Sequence, residues 1–160
     1  MVQITIEYMI MIPILILQIF LFPLTAGWIM TTWVDSRQTL ALQETASHLG
    51  SSIQQMYSAL NHESISEGTV TNRLEVPPFI EGYAYTGNAT LRTALAQNSS
   101  KFLDITLSLR GTSIQASTSV TLGQNVEWQN STFMSNSTFA SILANKQPNG
   151  TILLSFGGAA

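Results

Sequence analysis

Apolar residues are concentrated near the start of the chain. Across residues 8–34 no side chain is charged, and Gln18 is the only strongly hydrogen-bonding side chain before Thr25. About 20 helical residues cross the roughly 30 Å hydrocarbon core of a bilayer, so this segment is long enough to span a membrane with some tilt. Trp28 and Trp33 lie near its distal end, where aromatic side chains anchor spanning helices at the interface. The pattern predicts a membrane-inserting helix.

Two other interpretations of residues 8–34 fit less well. The core helix of a soluble protein rarely runs uncharged for this length. A cleaved secretory signal has an apolar region of about 7–15 residues that follows a basic stretch. Here the apolar region is longer, and the chain starts with Met1-Val2-Gln3, which contains no basic residue. We therefore expect a retained segment. Pro13 and Pro23 each remove a backbone donor inside it, and we expect a kink or a loosened turn at each.

The helical period continues beyond Asp35. Apolar residues recur there at steps of four and three, and polar residues fill the other faces, which indicates an amphipathic helix. A single helix that runs to residue 60 is too long for a globule of 160 residues to bury. We expect lipid, or copies of the same helix, to cover its apolar first half. The residues of the amphipathic stripe are Leu42, Ala46, Leu49, Ile53, Met56 and Leu60.

The remainder of the chain has the period of strands. Apolar and polar residues alternate over 103–109 and again over 114–122, and the Gly-bearing loop between them predicts a β-hairpin. Another strand is predicted over 151–156, and an edge strand over 76–85, weakened at its start by Pro77-Pro78. The predicted fold is α+β: a long N-terminal hydrophobic and amphipathic helix (1–60, with 1–2 as a possible signal remnant), then a small antiparallel β-sandwich-like domain (61–160).

The amino-acid composition argues against several classes of function. Charged residues make up 9% of the chain, against roughly 25% in a typical soluble domain, and the net charge is −3. This balance argues against nucleic-acid binding. The chain has no Cys, which excludes disulfides and thiolate metal sites. No phosphate-binding glycine loop or metal-ligand spacing occurs, and His48 and His62 belong to no catalytic pattern. We expect no enzymatic activity, no metal and no cofactor.

Five Asn-x-Ser/Thr sequons lie in the second half of the chain, and none lies in the predicted helix. Such triplets arise by chance where Ser and Thr are abundant, so some of them are expected to be unmodified turn or strand residues. Their confinement to one region favours N-linked glycans on an outward-facing domain. Glycans would also keep a weakly charged domain soluble. The candidate acceptors are Asn88, Asn98, Asn130, Asn136 and Asn149.

The residues directly before the apolar segment carry the most specific pattern. Glu7 is the only acidic residue before Asp35, and a carboxylate that enters the bilayer centre costs about 2.5–3.5 kcal/mol unless it finds a partner. Here the sequence resembles archaeal type IV pilins, in particular those with a short Gln-x-Ser-x-Glu-aromatic signal before the hydrophobic helix. Gln3, Glu7 and Tyr8 match this pattern, and Thr5 replaces Ser.

The resemblance implies processing and an assembly contact. In that family a prepilin peptidase cuts just before the Gln, and a cut before Gln3 would make Glu7 the fifth residue of the mature chain. Type IV pilins keep a glutamate there that pairs with the N-terminal amine of a neighbouring subunit, and an α-amine is largely cationic at neutral pH. The family's precursors carry a basic residue and usually Gly before the cut, where this chain has Met1-Val2. The cleavage position therefore stays open, and Glu7 could instead be a headgroup-level acid of an ordinary anchor.

The function implied is that of a structural subunit in an extracellular type IV pilus-like filament for adhesion, surface attachment or cell–cell contact. Such a subunit sits in the membrane first, then polymerises with identical subunits through the prepilin peptidase and pilus assembly machinery. Loosening at Pro13 or Pro23 would assist the transfer from lipid. The alternative is a non-polymerising, membrane-anchored surface binding protein, or a minor pilin or archaellum-associated component.

Overall fold

A computed structural model describes residues 2–93 and 100–158, with side chains described from residue 9 onward. Contacts divide the chain into two compact units, Met1–Arg37 and Gln38–Ala160, and the division falls inside the single long helix. The elements in chain order are α1 (Val2–Leu60), β1 (Gly68–Arg73), β2 (Tyr85–Thr93), β3 (Lys101–Leu109), β4 (Gln115–Leu122), β5 (Val126–Trp128), β6 (Thr132–Met134), β7 (Ser141–Lys146) and β8 (Ile152–Gly157).

The described residues of the first unit are all helical. α1 continues through Pro13 and Pro23 without interruption, and the large apolar side chains from Met9 to Trp33 are exposed within the monomer. The second unit takes in residues 38–60 of α1 together with the eight strands. The helix followed by β-sheets confirms the predicted α+β fold class.

The strands form two four-stranded sheets, with the orders β1-β7-β8-β5 and β4-β3-β2-β6. All pairs are antiparallel except β5 with β8, which run parallel. The predicted hairpin is confirmed as β3 and β4, and the predicted strand over 151–156 is confirmed as β8. Phe133 of β6 meets Phe156 of β8 at a centroid distance of 4.8 Å, so the two sheets share a core through aromatic contacts.

The second half of α1 packs against both sheets. Its apolar stripe from Leu42 to Leu60 is almost fully buried, with exposed fractions between 0 and 6%, which confirms the stripe read from the sequence. Gly50 allows the close approach of β4, because a Cβ at this position would lie 2.8 Å from Cγ2 of Val120. The Gln43 Nε2 atom donates to the Ser117 carbonyl at 3.1 Å and so attaches the helix to the same strand.

The prediction of an edge strand over 76–85 is wrong. Pro77 and Pro78 have no N–H to donate to a ladder. Glu81 and Gly82 then have φ values of 49° and 87°, which close a tight turn between the bridged residues Ile80 and Tyr83. The segment is therefore a loop that leads into β2. The edge strands of the sheet that contains β2 are β4 and β6.

Candidate functional site

The main candidate site is the apolar surface of α1 in the first unit. The large apolar side chains from Met9 to Trp33 are exposed to fractions between 48% at Leu21 and 78% at Met9. Soluble monomers rarely expose contiguous apolar patches beyond a few hundred Å². Among the described residues, one helix, spanning Met9–Leu60, is long and apolar enough by length and composition to cross a membrane. This surface requires cover from outside the chain, by lipid or by protein.

Apolar residues surround the helix rather than lining one face. Ile14, Leu15, Ile16 and Leu17 are exposed by 52, 51, 50 and 59%, respectively. Successive residues of an α-helix are about 100° apart, so four in a row point to all sides. A single partner helix could cover only part of such a surface. A bilayer, or several helices around this one, could cover all of it.

Threonine hydroxyls within the segment form hydrogen bonds to the helix itself. Thr31 Oγ1 donates to the Gly27 carbonyl and Thr32 Oγ1 to the Trp28 carbonyl, both at 2.9 Å, while Thr25 Oγ1 reaches the Leu21 and Phe22 carbonyls at 3.0 Å. A buried hydroxyl without a partner is costly, and these bonds remove that cost inside lipid or a helix bundle. The sequence interpretation missed this feature, although the position of Thr in an apolar helix is a signal for it.

The environment of Pro23 differs from the rest of the segment. Because proline has no N–H, the carbonyl of Ile19, four residues earlier, loses its usual helical donor. A surface groove of about 610 Å³ adjoins this turn and is lined by Gln18, Phe22 and Pro23, among others. Gln18 is exposed, and its amide is the strongest hydrogen-bonding group among the apolar residues before Thr25. A polar group and a proline-modified turn therefore occur together on this surface.

The distal end of the apolar surface has an aromatic and cationic boundary. The Arg37 guanidinium lies 4.8 Å from the centroid of the Trp33 ring, which is the geometry of a cation–π contact. Trp28 is 73% exposed one turn further back. Trp and Arg at such a position are typical of the point where a membrane-spanning segment meets the membrane surface. The spacing of four residues between Trp33 and Arg37 is the sequence signal for this contact.

The predicted assembly residues fall into two groups. Gln3, Glu7 and Tyr8 belong to α1, but their side chains lie outside the described residues. Pro13 and Pro23 are described and lie on the exposed apolar surface. The Glu7 contact predicted from the resemblance joins two subunits, and it stays a prediction.

Four of the five sequon asparagines are described, and all four are exposed. Asn88 lies in β2, whereas Asn130, Asn136 and Asn149 lie in loops, and Asn98 lies outside the described residues. The Asn149 Oδ1 atom accepts a hydrogen bond from the Thr151 N–H at 2.9 Å, as in an Asx turn. Asn88 is directly opposite Thr132 of β6, so two sequons meet across neighbouring strands.

The polar groups of the second unit support its structure. Burial raises the pKa of the Tyr85 phenol, whose hydroxyl donates to the Pro77 carbonyl at 2.8 Å. The hydrogen bond from Arg92 lowers the pKa of the Asp104 carboxyl on the outer face of β3. The His62 Nδ1 and Ser64 Oγ atoms are 2.8 Å apart in an exposed turn. Among the described side chains, no three His, Asp or Glu residues are placed to hold a metal ion.

No protein-family model, curated protein or solved structure matches this chain.

Proposed function

We propose that this protein is the structural subunit of an extracellular type IV pilus-like filament, and that its subunits assemble through the apolar surface of residues 9–34. The observation that carries the proposal is the exposure of apolar side chains on every side of the helix. A helix surrounded by equivalent helices buries all of these sides at once. Before assembly, the bilayer covers the same surface.

Assembly from the membrane requires a driving force other than the hydrophobic effect. Lipid tails are as apolar as leucine, so an apolar side chain gains little when it leaves lipid for a helix bundle. The polar groups gain more. Gln18 can hydrogen-bond to a neighbouring helix, and Glu7 costs about 2.5–3.5 kcal/mol in the bilayer centre when alone.

Glu7 is the proposed register contact between subunits. A cut before Gln3 creates an α-amine, which is cationic at neutral pH, and its attraction to the Glu7 carboxylate of a neighbour grows as water is excluded. Breaking such a pair leaves a buried charge, which is strongly destabilising. The pair therefore favours one alignment of adjacent helices. The partners in this proposal are identical subunits, a prepilin peptidase and pilus assembly machinery.

The second unit is proposed to form the outer layer of the filament, where it mediates adhesion or cell–cell contact. Its four described sequon asparagines are all exposed, which supports N-linked glycosylation on the cell surface. No catalytic step is assigned to it.

The test is a charge-removing substitution at Glu7. Glu7→Gln keeps the size of the side chain, and we expect it to reduce filament yield at least tenfold while the precursor still accumulates in the membrane. Glu127→Gln is the matched control, because Glu127 is exposed in β5, and its yield should equal wild type. The readout is the amount of this chain in filaments sheared from cells. Wild-type yield from Glu7→Gln would contradict the register contact.

The membrane-anchored alternative predicts a different result. A non-polymerising surface protein would give no sheared filaments from wild type, and detergent extraction would release it as a monomer. That outcome would remove the assembly role while leaving the membrane role of residues 9–34 intact.

A further inference from the structure

The four edge strands of the two sheets differ in how their free sides are covered. The side of β4 is occupied by α1, through the Gln43–Ser117 hydrogen bond and the contact at Gly50. On β5, the Lys101 ammonium donates to the Val126 carbonyl at 2.6 Å. α1 also lies beside β1, because His48, Ser52 and Gln55 line one surface groove together with Asn72 and Arg73. The edge of β6 receives no comparable cover from the described residues.

The free side of β6 can be identified from its pairing with β2. The Ser135 N–H donates to the Tyr85 carbonyl at 2.9 Å, and hydrogen-bonded positions alternate along an antiparallel pair. Phe133 is therefore the next residue bonded to β2, while the peptide groups of Thr132 and Met134 point away from it. The Met134 carbonyl accepts the Ser137 N–H at 3.0 Å, so the free part of this edge is at Thr132 and the Met134 N–H. β6 contains no Lys or Pro, which are the residues that usually protect an edge from pairing with another chain.

Three sequons surround this edge. Asn130 lies two residues before β6 and Asn136 two residues after it, and both are exposed. Asn88 faces outward from β2, because its neighbours Gly87 and Ala89 are buried, and it is the register partner of Thr132. Directly opposed residues on one face of an antiparallel pair have Cβ atoms about 4.5–5.5 Å apart. A sugar on Asn88 would therefore lie over β6.

The Asn130 sequon is held in a fixed position. Ser131 Oγ accepts the Phe156 N–H at 2.8 Å and donates to the Gln129 carbonyl at 2.9 Å, which fixes this loop against β8. Trp128 precedes the acceptor by two residues, and its ring packs edge-on against Phe156 at 5.0 Å. The Trp128 Nε1 atom is buried, so the part of this half-buried ring that reaches solvent is hydrocarbon. Such a surface suits the apolar face of a sugar.

We propose that N-linked glycans on Asn88, Asn130 and Asn136 cover the free edge of β6, and that the first sugar on Asn130 packs on Trp128. Glycans would thus replace the charges that protect edge strands in other proteins, in a chain with 9% charged residues. The inference rests on the proposed outward position of this unit, which a pilin and a membrane-anchored surface protein share.

Peptide mass spectrometry of the full chain isolated from its native cells tests occupancy first. We expect glycan mass on the peptides that contain Asn88, Asn130 and Asn136. Occupancy is measured whether or not the chain polymerises, so a negative result here is distinct from a failure to assemble. Unmodified peptides at all three positions would overturn the proposal.

Removal of the acceptors tests the shielding role. The triple variant Asn88→Gln, Asn130→Gln, Asn136→Gln should increase lateral association of the isolated protein several-fold, measured by light scattering and electron microscopy. Thr151→Ala is the matched control, because it removes the Asn149 sequon, which is remote in sequence from β6, and keeps the backbone N–H that bonds to Asn149 Oδ1. It should leave association unchanged. Unchanged circular dichroism of the triple variant would show that it is folded. Equal association of the two variants would contradict a shield over β6.

Discussion

The two halves of α1 contain similar apolar residues but place them in opposite environments. From Met9 to Trp33 the large apolar side chains are exposed on all sides, with fractions between 48 and 78%. From Leu42 to Leu60, six apolar residues form one stripe, exposed by 6% or less, against two sheets. The second half therefore finds its cover within the chain, whereas the first half needs cover from lipid or from other chains.

This difference separates folding from assembly within one helix. The stripe from Leu42 to Leu60 contributes to the stability of the β-rich unit, and substitutions there should act on unfolding. The buried core residues begin at Leu42, so substitutions from Met9 to Trp33 should act on membrane insertion and polymerisation. The proposed function depends on this separation.

The largest expected effect comes from placing a charge in each half. Ile53→Asp puts a carboxylate at a fully buried position, and we expect the unit of residues 38–158 to lose more than about 4 kcal/mol and unfold, because the charge has no partner. Ile16→Asp, at a position 50% exposed, should leave that unit folded but prevent filament formation. Protease resistance and circular dichroism in detergent, together with sheared-filament yield, check both results. Loss of folding from Ile16→Asp would contradict the separation.

A smaller effect is expected from alanine at the two glycines of α1. A Cβ at Gly50 would lie 2.8 Å from Val120, and we expect Gly50→Ala to destabilise the β-rich unit by about 1–2 kcal/mol despite better helix propensity. A Cβ at Gly27 would meet nothing within 4 Å, so Gly27→Ala should leave the stability of this unit unchanged. Urea unfolding in detergent measures both. Equal midpoints for the two variants would show that α1 does not approach β4 as closely as described.

The smallest expected effect is a pH dependence of stability that comes from Asp104, on the outer face of the sheet β4-β3-β2-β6. The hydrogen bond from Arg92 lowers the pKa of Asp104 in the folded state. The ionised Asp104 carboxylate therefore stabilises the folded state at pH values above its unfolded pKa of about 3.9. This contribution is lost as the pH falls through the folded pKa of Asp104. Arg92 is well exposed, so the effect is small.

The difference between wild type and Asp104→Asn isolates this contribution. The Tm of wild type should exceed that of the variant at pH 7, and the gap should close as the pH falls through the lowered folded pKa of Asp104. Glu127→Gln serves as the control, and the Tm difference between this variant and wild type should not close over the same pH range. A constant gap between wild type and Asp104→Asn at all pH values would contradict the ion pair.

The parts of the fold that could be predicted depend on local periodicity. The helical stripe through Leu60 and the alternation on both sides of Gly111 reflect one buried face each, and both are confirmed. β1 was missed because it is an exposed edge strand, and its residues after Gly68 show no buried alternation. The parallel pairing of β5 with β8 joins segments distant in sequence, so no local pattern indicated it.

For the candidate site, the apolar surface was visible in the sequence, while its polar details required the structure. Hydropathy identified residues 8–34, but the threonine hydrogen bonds and the Trp33–Arg37 contact depend on side-chain geometry. The sequons were evident as triplets, whereas their grouping around β6 required the strand register. The proposed partner of Glu7 belongs to another subunit, so no pattern within one chain specifies its position.

Cryo-electron microscopy of material sheared from the cell surface tests the central claim most directly. The account predicts a helical filament in which residues 9–34 of many copies form a central bundle, the β-rich units lie outside, and Glu7 contacts the N-terminal amine of a neighbour. A filament built by other proteins, with this chain found only as a monomer in the membrane fraction, would contradict it.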